Sequence, residues 1–229
     1  MKIIKYIPSF LTSMNLVSGF AAILINDPFL SPLVILLGAF FDLLDGAAAR
    51  KLNATSDFGG ELDSLADLVS FGVAPAYLYF NHVLQSSDKI TASVSVSFIV
   101  VFAALRLAKF NIDTEQKTNF IGLPSPASGI FFAMMVFESH SMKLLDYNQN
   151  IAIWLLLPVI AGLLMVAPFK FYALKRSDQK YNSILTVLIV AIFVLSGIIW
   201  IFTGYPSIPA AFVIYIFISL VYYKYIVKE

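Results

Sequence analysis

The sequence has 229 residues, of which 59% are hydrophobic and 13% are charged, and its formal net charge is +1. This composition excludes a soluble globular domain and indicates a protein that crosses a membrane several times. The chain contains no cysteine, which excludes disulfides and thiolate metal sites. The near-neutral charge gives no reason to expect a nucleic-acid partner.

Eight apolar segments follow one another along the chain, and each is long enough to cross about 30 Å of hydrocarbon. The first lacks a small-residue cleavage pattern and contains Thr12 and Asn15, so we expect it to remain as a helix. The pattern therefore predicts an all-α fold, a single membrane domain over residues 1–229 with about eight transmembrane helices. The segments lie near residues 9–26, 30–50, 60–81, 90–110, 124–141, 150–169, 182–202 and 207–226.

The basic residues are distributed unevenly between the two sides of such a bundle. With eight spans and a cytoplasmic amino terminus, only Lys89 and Lys143 lie outside. The positive-inside rule favours this orientation, with both termini in the cytoplasm. The other thirteen basic residues lie on or near the cytoplasmic side: Lys2, Lys5, Arg50, Lys51, Arg106, Lys109, Lys117, Lys170, Lys175, Arg176, Lys180, Lys224 and Lys228.

Four carboxylates lie inside or at the edge of the second and third segments, where an ionised group costs at least a few kcal/mol. Asp42 and Asp45 are three residues apart, and Asp63 and Asp67 are four apart, so each pair shares one face of a helix. Two such helices can direct all four acids into one pocket. Oxygen ligands without Cys or His favour a hard divalent cation such as Mg²⁺ or Mn²⁺.

A pocket of this kind leaves coordination positions for an anionic ligand such as a pyrophosphate. Arg50 follows at the end of the second segment, where its guanidinium can bind phosphate oxygens. Gly46 and Gly59 let a ligand approach the backbone. A metal-bound pyrophosphate beside hydrocarbon indicates an activated lipid, and we expect a hydroxyl to attack its phosphorus while one carboxylate acts as base.

The motif Asp42-x2-Asp45-Gly46-x2-Ala49-Arg50-x8-Gly59-x3-Asp63-x3-Asp67 resembles the complete signature of the CDP-alcohol phosphotransferases (class I CDP-alcohol phosphatidyltransferases). The resemblance implies that the four Asp ligate two divalent ions, Mg²⁺ or Mn²⁺. It also implies that Gly46 and Arg50 contact the CDP group and that Asp67 is the base. Residues 9–110 would then form the catalytic core, and residues 111–229 an acceptor loop and the remaining helices.

Three polar residues outside the signature match family positions that touch the nucleotide. Ser56 falls where members often have Ser or Thr. Pro8-Ser9-x2-Thr12-x2-Asn15 resembles the first-helix motif, so Thr12 and Asn15 are expected at the CDP site together with Gly59. The resemblance further implies a homodimer in the cell (inner) membrane, with CDP-diacylglycerol and membrane lipid as partners. The active site is expected to face the cytoplasm, because residues 50–59 form the first cytoplasmic loop in the favoured orientation.

The acceptor is indicated further along the chain. Arg106-Leu107-Ala108-Lys109-Phe110-Asn111 and then Phe120-x-Gly122-Leu123-Pro124-Ser125-Pro126-Ala127 are similar to the phosphatidylserine synthase branch of the family (CDP-diacylglycerol–serine O-phosphatidyltransferases). L-serine would then be the acceptor. Arg106 could pair with its carboxylate, and Asn111 or a loop carbonyl could meet its ammonium.

Other functions are compatible with parts of this pattern. Within the family, glycerol 3-phosphate would call for additional basic residues in the pocket, and inositol for more neutral polar ones. Arg106 could equally be a topological anchor. An ion-coupled transporter would also place acids in the membrane, but no second half of the chain repeats the Asp42–Asp67 pattern. A membrane scaffold without catalytic activity would not need four Asp.

Overall fold

The computed structural model describes residues 3–112, 122–142, 150–169, 180–203 and 207–225. Across these ranges the chain forms helices joined by short turns, with no strand, which confirms the all-α prediction. A 3₁₀ turn, Ile3–Tyr6, precedes the first helix. The helices are α1 (Ile7–Ile25), α2 (Leu30–Lys51), α3 (Asp57–Asp67), α4 (Ala74–Val83), α5 (Lys89–Ile112), α6 (Ser125–Met142), α7 (Ile151–Val166), α8 (Lys180–Thr203) and α9 (Ser207–Tyr225).

Three helices in the described ranges, α1, α2 and α5, are long and apolar enough to cross a membrane. The helix α7 and the apolar parts of α8 and α9 are shorter. The chain is therefore an integral membrane protein, although the predicted set of eight long spans is reproduced only in part. The later predicted segments are separated by polar stretches at residues 111–119, 146–149, 175–180 and 204–206, which lie wholly or largely outside the described residues.

The turn between α1 and α2 explains why these helices pack side by side. Asn26 ends α1 in the left-handed conformation, with φ 46°. Asp27 Oδ1 then accepts the backbone N–H groups of Phe29 and Leu30 at 2.9 and 2.7 Å. The Ser31 hydroxyl oxygen accepts the backbone N–H of Asp27 at 3.0 Å, and this exchange satisfies the donors that a helix start leaves unpaired.

The predicted third span is interrupted. A π-helical segment, Leu68–Val73, joins α3 to α4 directly after Asp67. Neighbouring glycines allow close packing here: a Cβ on Gly19 of α1 would lie 2.6 Å from Ser70 Cα, and one on Gly129 of α6 would lie 2.6 Å from the Phe71 carbonyl oxygen. A π insertion inside a helix commonly marks a functional site, and this one follows the last of the four acids.

The hydrophobic core includes buried residues of α1, α2 and α5 as well as α4, α6 and α7, and the last three meet at Tyr79. Tyr79 is fully buried, and its hydroxyl donates to the Trp154 carbonyl at 3.0 Å. Its ring meets Phe132 edge-on, with the centroids 4.9 Å apart. The hydroxyl therefore has the partner that a buried Tyr requires, and this contact fixes α4 and α6 against α7.

The remaining helices attach to this core through α6. The helices α8 and α9 pack against each other, and α9 also packs against α6. The carboxylate of Glu138 accepts the backbone N–H of Ile208 at 3.1 Å. A carboxylate at the start of a helix satisfies a free donor and complements the helix dipole, so Glu138 links α6 to the first turn of α9.

The chain enters α6 through a turn that requires glycine. Gly122 has φ +84°, and its backbone N–H donates to the Phe169 carbonyl at 2.8 Å. Leu123 donates in the same way to Leu164 at 2.9 Å. Because an L side chain is disfavoured at this φ, Gly122 fixes the point where α6 begins at the end of α7.

Candidate active site

Three acids converge between α2 and α3. Oxygen atoms of Asp42, Asp63 and Asp67 all lie within 4.8 Å of one another. Asp67 is buried, whereas Asp42 and Asp63 are half-buried. Each pair of ionised carboxylates at such a distance repels by about 3 kcal/mol at an effective dielectric constant of about 20, and a bound cation would relieve this repulsion.

Asp45 is buried beside this cluster and takes a different partner. Its Oδ2 atom lies 2.6 Å from the Thr12 hydroxyl oxygen of α1, and that hydroxyl is also 3.0 Å from the Pro8 carbonyl. Such a short bond to a carboxylate is charge-assisted. The predicted convergence of four acids is thus seen directly for three of them, and Thr12 holds the fourth within electrostatic range of Asp67.

Asn15 joins α1 to the end of α3. It is fully buried, and its Nδ2 atom donates to Asp67 Oδ1 at 3.2 Å. Its backbone carbonyl oxygen accepts the Ser70 hydroxyl at 2.8 Å. The structure therefore places Thr12 and Asn15 of the first-helix motif against carboxylates, and their contact with a nucleotide stays a prediction.

The other predicted nucleotide residues lie near the end of α2 and the start of α3. Arg50 is exposed in the last turn of α2, and Gly46 is half-buried one turn after Asp42. Ser56 is exposed and caps α3, since its hydroxyl oxygen accepts the Gly59 backbone N–H at 3.1 Å. The Ser56 hydroxyl thus already has a structural role, whereas Arg50 is accessible to an anionic ligand.

The two predicted acceptor residues differ in their surroundings. Arg106 is only 9% exposed, and its Nη1 atom donates to the Ser125 hydroxyl at 2.8 Å. Asn111 is exposed at the end of the same helix, α5. Its amide donates to Glu61 at 3.2 Å and accepts from Ser64 at 3.1 Å, so Asn111 binds α5 to α3.

Three polar partners of Arg106 and Asn111 were not among the predicted site residues: Ser125, Glu61 and Ser64. Glu61 and Ser64 flank Asp63 in the sequence, but they lie on other faces of α3 and meet α5 only in the folded chain. Ser125 occurs within the acceptor pattern between Pro124 and Pro126. A hydroxyl in the first turn of an apolar helix was the available signal that it has a polar partner.

The donor set fits a divalent cation. The clustered ligands are carboxylate oxygens on two helices that pack closely against α1. Mg²⁺ and Mn²⁺ favour such ligands, whereas zinc sites commonly include Cys or His. The cluster can therefore hold a metal and still present open positions to a phosphate.

Comparison with known proteins identifies the family. A model described as CDP-alcohol phosphatidyltransferase matches residues 5–167. A CDP-diacylglycerol–serine O-phosphatidyltransferase of Methanocaldococcus jannaschii is 36% identical over 196 residues, which cover 84% of this chain and 83% of the relative. One from Bacillus subtilis is 41% identical over 143 residues, 61% of this chain and 80% of the relative.

A third relative differs in the name of its lipid. The archaetidylserine synthase of Methanothermobacter thermautotrophicus is 38% identical over 130 residues, 54% of either chain. The acid cluster, Arg106 and Ser125 all lie inside the region that the family model matches. Because that region is more than half of the sequence, the chain belongs to the CDP-alcohol phosphatidyltransferase family, as its motif predicted.

Proposed function

We propose that this protein transfers the phosphatidyl group of CDP-diacylglycerol to the hydroxyl of L-serine, which gives phosphatidylserine and CMP. The observation that carries the proposal is the convergence of Asp42, Asp63 and Asp67 inside a family-matched membrane protein. The acceptor is supported by the names of the relatives, which share serine whether the lipid is phosphatidyl or archaetidyl.

Asp42, Asp45, Asp63 and Asp67 would hold two divalent ions, Mg²⁺ or Mn²⁺. When bound, the ions would neutralise the pyrophosphate and polarise the phosphorus under attack. We assign the cytidine side to the end of α2 and the start of α3, where Gly46, Arg50, Ser56 and Gly59 lie. Thr12 and Asn15 belong to the same side, through the carboxylates that they bind.

Asp67 is the proposed base. A serine hydroxyl is a weak nucleophile, so a carboxylate within hydrogen-bond reach has to accept its proton. The serine oxygen then forms a bond to the phosphatidyl phosphorus, the bond from that phosphorus to the CMP oxygen breaks, and CMP leaves. The hydrogen bond from Asn15 occupies one oxygen of Asp67 and thereby orients the carboxylate toward the acceptor.

Arg106 and Asn111 are the proposed acceptor contacts. Arg106 lies within electrostatic range of Asp67, and an acceptor whose carboxylate binds Arg106 would present its hydroxyl to the proposed base. Asn111 is farther along α5, with its amide bound to Glu61 and Ser64. Its contact with the serine ammonium would require an exchange of one of these bonds.

The remaining features follow the same proposal. The chain would be one domain with about eight spans, both termini and the acid cluster on the cytoplasmic side of the inner membrane, and a second copy as partner. Arg50 and Lys51 end α2 next to the cluster, where the positive-inside rule expects cytoplasmic charge.

Two alternatives make different predictions. Glycerol 3-phosphate or inositol would replace serine as acceptor in the same chemistry. An ion-coupled transporter would bind cations without releasing CMP. The test supplies CDP-diacylglycerol and Mn²⁺ to the purified protein with labelled serine, glycerol 3-phosphate or inositol, and follows CMP and labelled lipid.

We expect CMP release and labelled lipid when serine is the alcohol supplied, but not with glycerol 3-phosphate or inositol. Equal or greater turnover with either other alcohol would refute the serine assignment, and no CMP with any alcohol would refute the enzyme. For substitutions of the clustered acids, the matched control is Asp57→Asn. It changes an exposed acid at the start of α3, leaves the clustered acids intact and should keep CMP release.

A further inference from the structure

Arg106 is buried at the junction of α5 and α6, and one of its buried nitrogen atoms has no partner among the described residues. Its Nη1 atom donates to Ser125 at 2.8 Å, but its Nε atom has no hydrogen-bond partner among the described residues. Buried polar groups are nearly always satisfied, and a guanidinium favours carboxylates and phosphates. The unused donor therefore indicates an anionic group that arrives with a ligand.

A second unused polar atom lies nearby on α6. Ser128 is 1% exposed, and its hydroxyl has no partner in the part of the chain that the structure describes. The backbone N–H of Ser128 donates to the Pro124 carbonyl at 3.1 Å, so the first turn of α6 is formed here. Residues three apart share a helix face, which places Ser128 on the same face as Ser125.

The surroundings of Arg106 connect this face to the proposed base. Arg106 is within electrostatic range of Asp67 and of Tyr215 on α9. The backbone of Phe71, which follows Asp67 in the π-helical segment, touches Gly129 next to Ser128. Two buried polar groups with unused hydrogen-bonding capacity thus lie at the junction of α5, α6 and the segment after the base.

We propose that Ser125 is a positioning residue that holds Arg106 for the carboxylate of the acceptor, and that Ser128 completes the polar lining of this pocket. The ligand class is a small hydroxy-amino acid with a free carboxylate. This inference rests on the proposed function, since it needs serine as acceptor. It adds two specificity residues on α6 to the reaction.

Ser125 can position Arg106 because Ser125 and Asp67 compete for the same guanidinium. Ser125 holds Nη1 on the α6 side, which leaves Nε for the acceptor carboxylate. Without that hydroxyl, the attraction of Asp67 would favour rotamers in which Arg106 turns toward the acids. The acceptor carboxylate would then lose its contact, while the nucleotide side of the site would not change.

The experiment measures KM for L-serine and for CDP-diacylglycerol, with kcat, in Ser125→Ala, Ser125→Thr and Ser128→Ala of the full chain. Ser125→Ala should raise the serine KM about tenfold, the effect of losing one hydrogen bond to a charged group. The KM for CDP-diacylglycerol should stay constant. Ser125→Thr, which keeps the hydroxyl, should restore the serine KM, and Ser128→Ala should raise it by a smaller factor.

Serinol lacks the carboxylate. Its comparison with serine therefore distinguishes a role of Ser125 and Ser128 in binding the acceptor from a purely structural role. The preference for serine over serinol, as a ratio of kcat/KM values, should fall in Ser125→Ala and in Ser128→Ala. The control is Ser95→Ala on the same helix as Arg106. The Ser95 hydroxyl donates to the Leu155 carbonyl at 2.6 Å, and Ser95 lies about 16 Å from Arg106 along the axis of α5. Ser95→Ala should therefore keep the wild-type ratio.

The outcomes separate this inference from the proposed function. A fall in kcat with unchanged serine KM in Ser125→Ala would overturn the inference and make Arg106 a counter-charge for Asp67. An unchanged serine-to-serinol ratio in Ser128→Ala would overturn it even if Ser125→Ala fails to fold. Wild-type protein that releases no CMP with serine would overturn the proposed function as well.

Discussion

The side-chain nitrogen of Asn15 lies 3.2 Å from a carboxylate oxygen of Asp67, which joins the first helix to the last turn of the third inside the protein. The backbone carbonyl of Asn15 also accepts the hydroxyl of Ser70, three residues past Asp67, at 2.8 Å. Two bonds from one residue therefore fix both the carboxylate and the start of the π-helical segment. Asn15 therefore holds one carboxylate oxygen of the proposed base.

Replacing Asn15 with Ala should lower kcat by about 10- to 100-fold, the range for removing a residue that orients a metal-binding group. The KM for CDP-diacylglycerol should change much less. Steady-state kinetics of the purified variant measure both, with Ser18→Ala on the same helix as control, since Ser18 donates only to the Met14 carbonyl of its own helix. A selective loss of nucleotide affinity would instead make Asn15 a nucleotide contact.

Asp63→Asn and Asp42→Asn should each abolish nearly all turnover while the protein still inserts and folds. Each change removes a charged ligand from the cluster that would hold the metal. EDTA should abolish wild-type CMP release, and Mg²⁺ or Mn²⁺ should restore it. Substantial turnover in the chelator would contradict a metal-dependent site.

The short contact between Thr12 and Asp45 gives a third prediction. Thr12→Val keeps the shape but removes the donor at 2.6 Å from Asp45 Oδ2, so the concentration of Mn²⁺ that gives half-maximal activity should rise about tenfold. Thr12→Ser keeps the donor and should behave like wild type. Equal metal dependence in the two variants would show that Thr12 does not hold Asp45 for metal binding.

The packing around the π-helical segment should be sensitive to a single methyl group. A Cβ on Gly129 would lie 2.6 Å from the Phe71 carbonyl oxygen, so Gly129→Ala should cost about 1–3 kcal/mol of stability and lower the unfolding temperature in detergent. Gly60→Ala is the control, because a Cβ there meets nothing within 4 Å. An unchanged unfolding temperature in Gly129→Ala would show that the π-helical segment can shift to make room for the added methyl group.

Much of the fold follows from the sequence because hydrophobic length determines spans and residue spacing determines helix faces. Asp63 and Asp67 share a face of α3 for that reason, and Asp42 meets them as predicted. The π-helical segment was not predictable, because one extra residue in a helix leaves no mark in an apolar sequence. Its position depends on close contacts of Gly19 and Gly129 with a distant part of the chain.

Partners of the site residues were harder to predict than their positions. Spacing places Asp45 on the same face as Asp42, but the position of α1 decides that Thr12 binds it. Asn111 was assigned to the acceptor because it belongs to the pattern that resembles the phosphatidylserine synthase branch. In the folded protein that end lies beside α3, where Glu61 and Ser64 occupy its amide.

The most direct test of the account compares chemistry with nucleotide binding in Asp67→Asn, which keeps the shape of the side chain and removes its basic oxygen. We predict that kcat for CMP release falls about 100-fold or more, the range for losing general-base assistance, while binding of CDP with Mn²⁺ weakens far less than in Asp45→Asn. If Asp67→Asn instead loses Mn²⁺-dependent CDP binding as fully as Asp45→Asn and keeps near wild-type turnover at saturation, Asp67 is only a metal ligand and another group is the base.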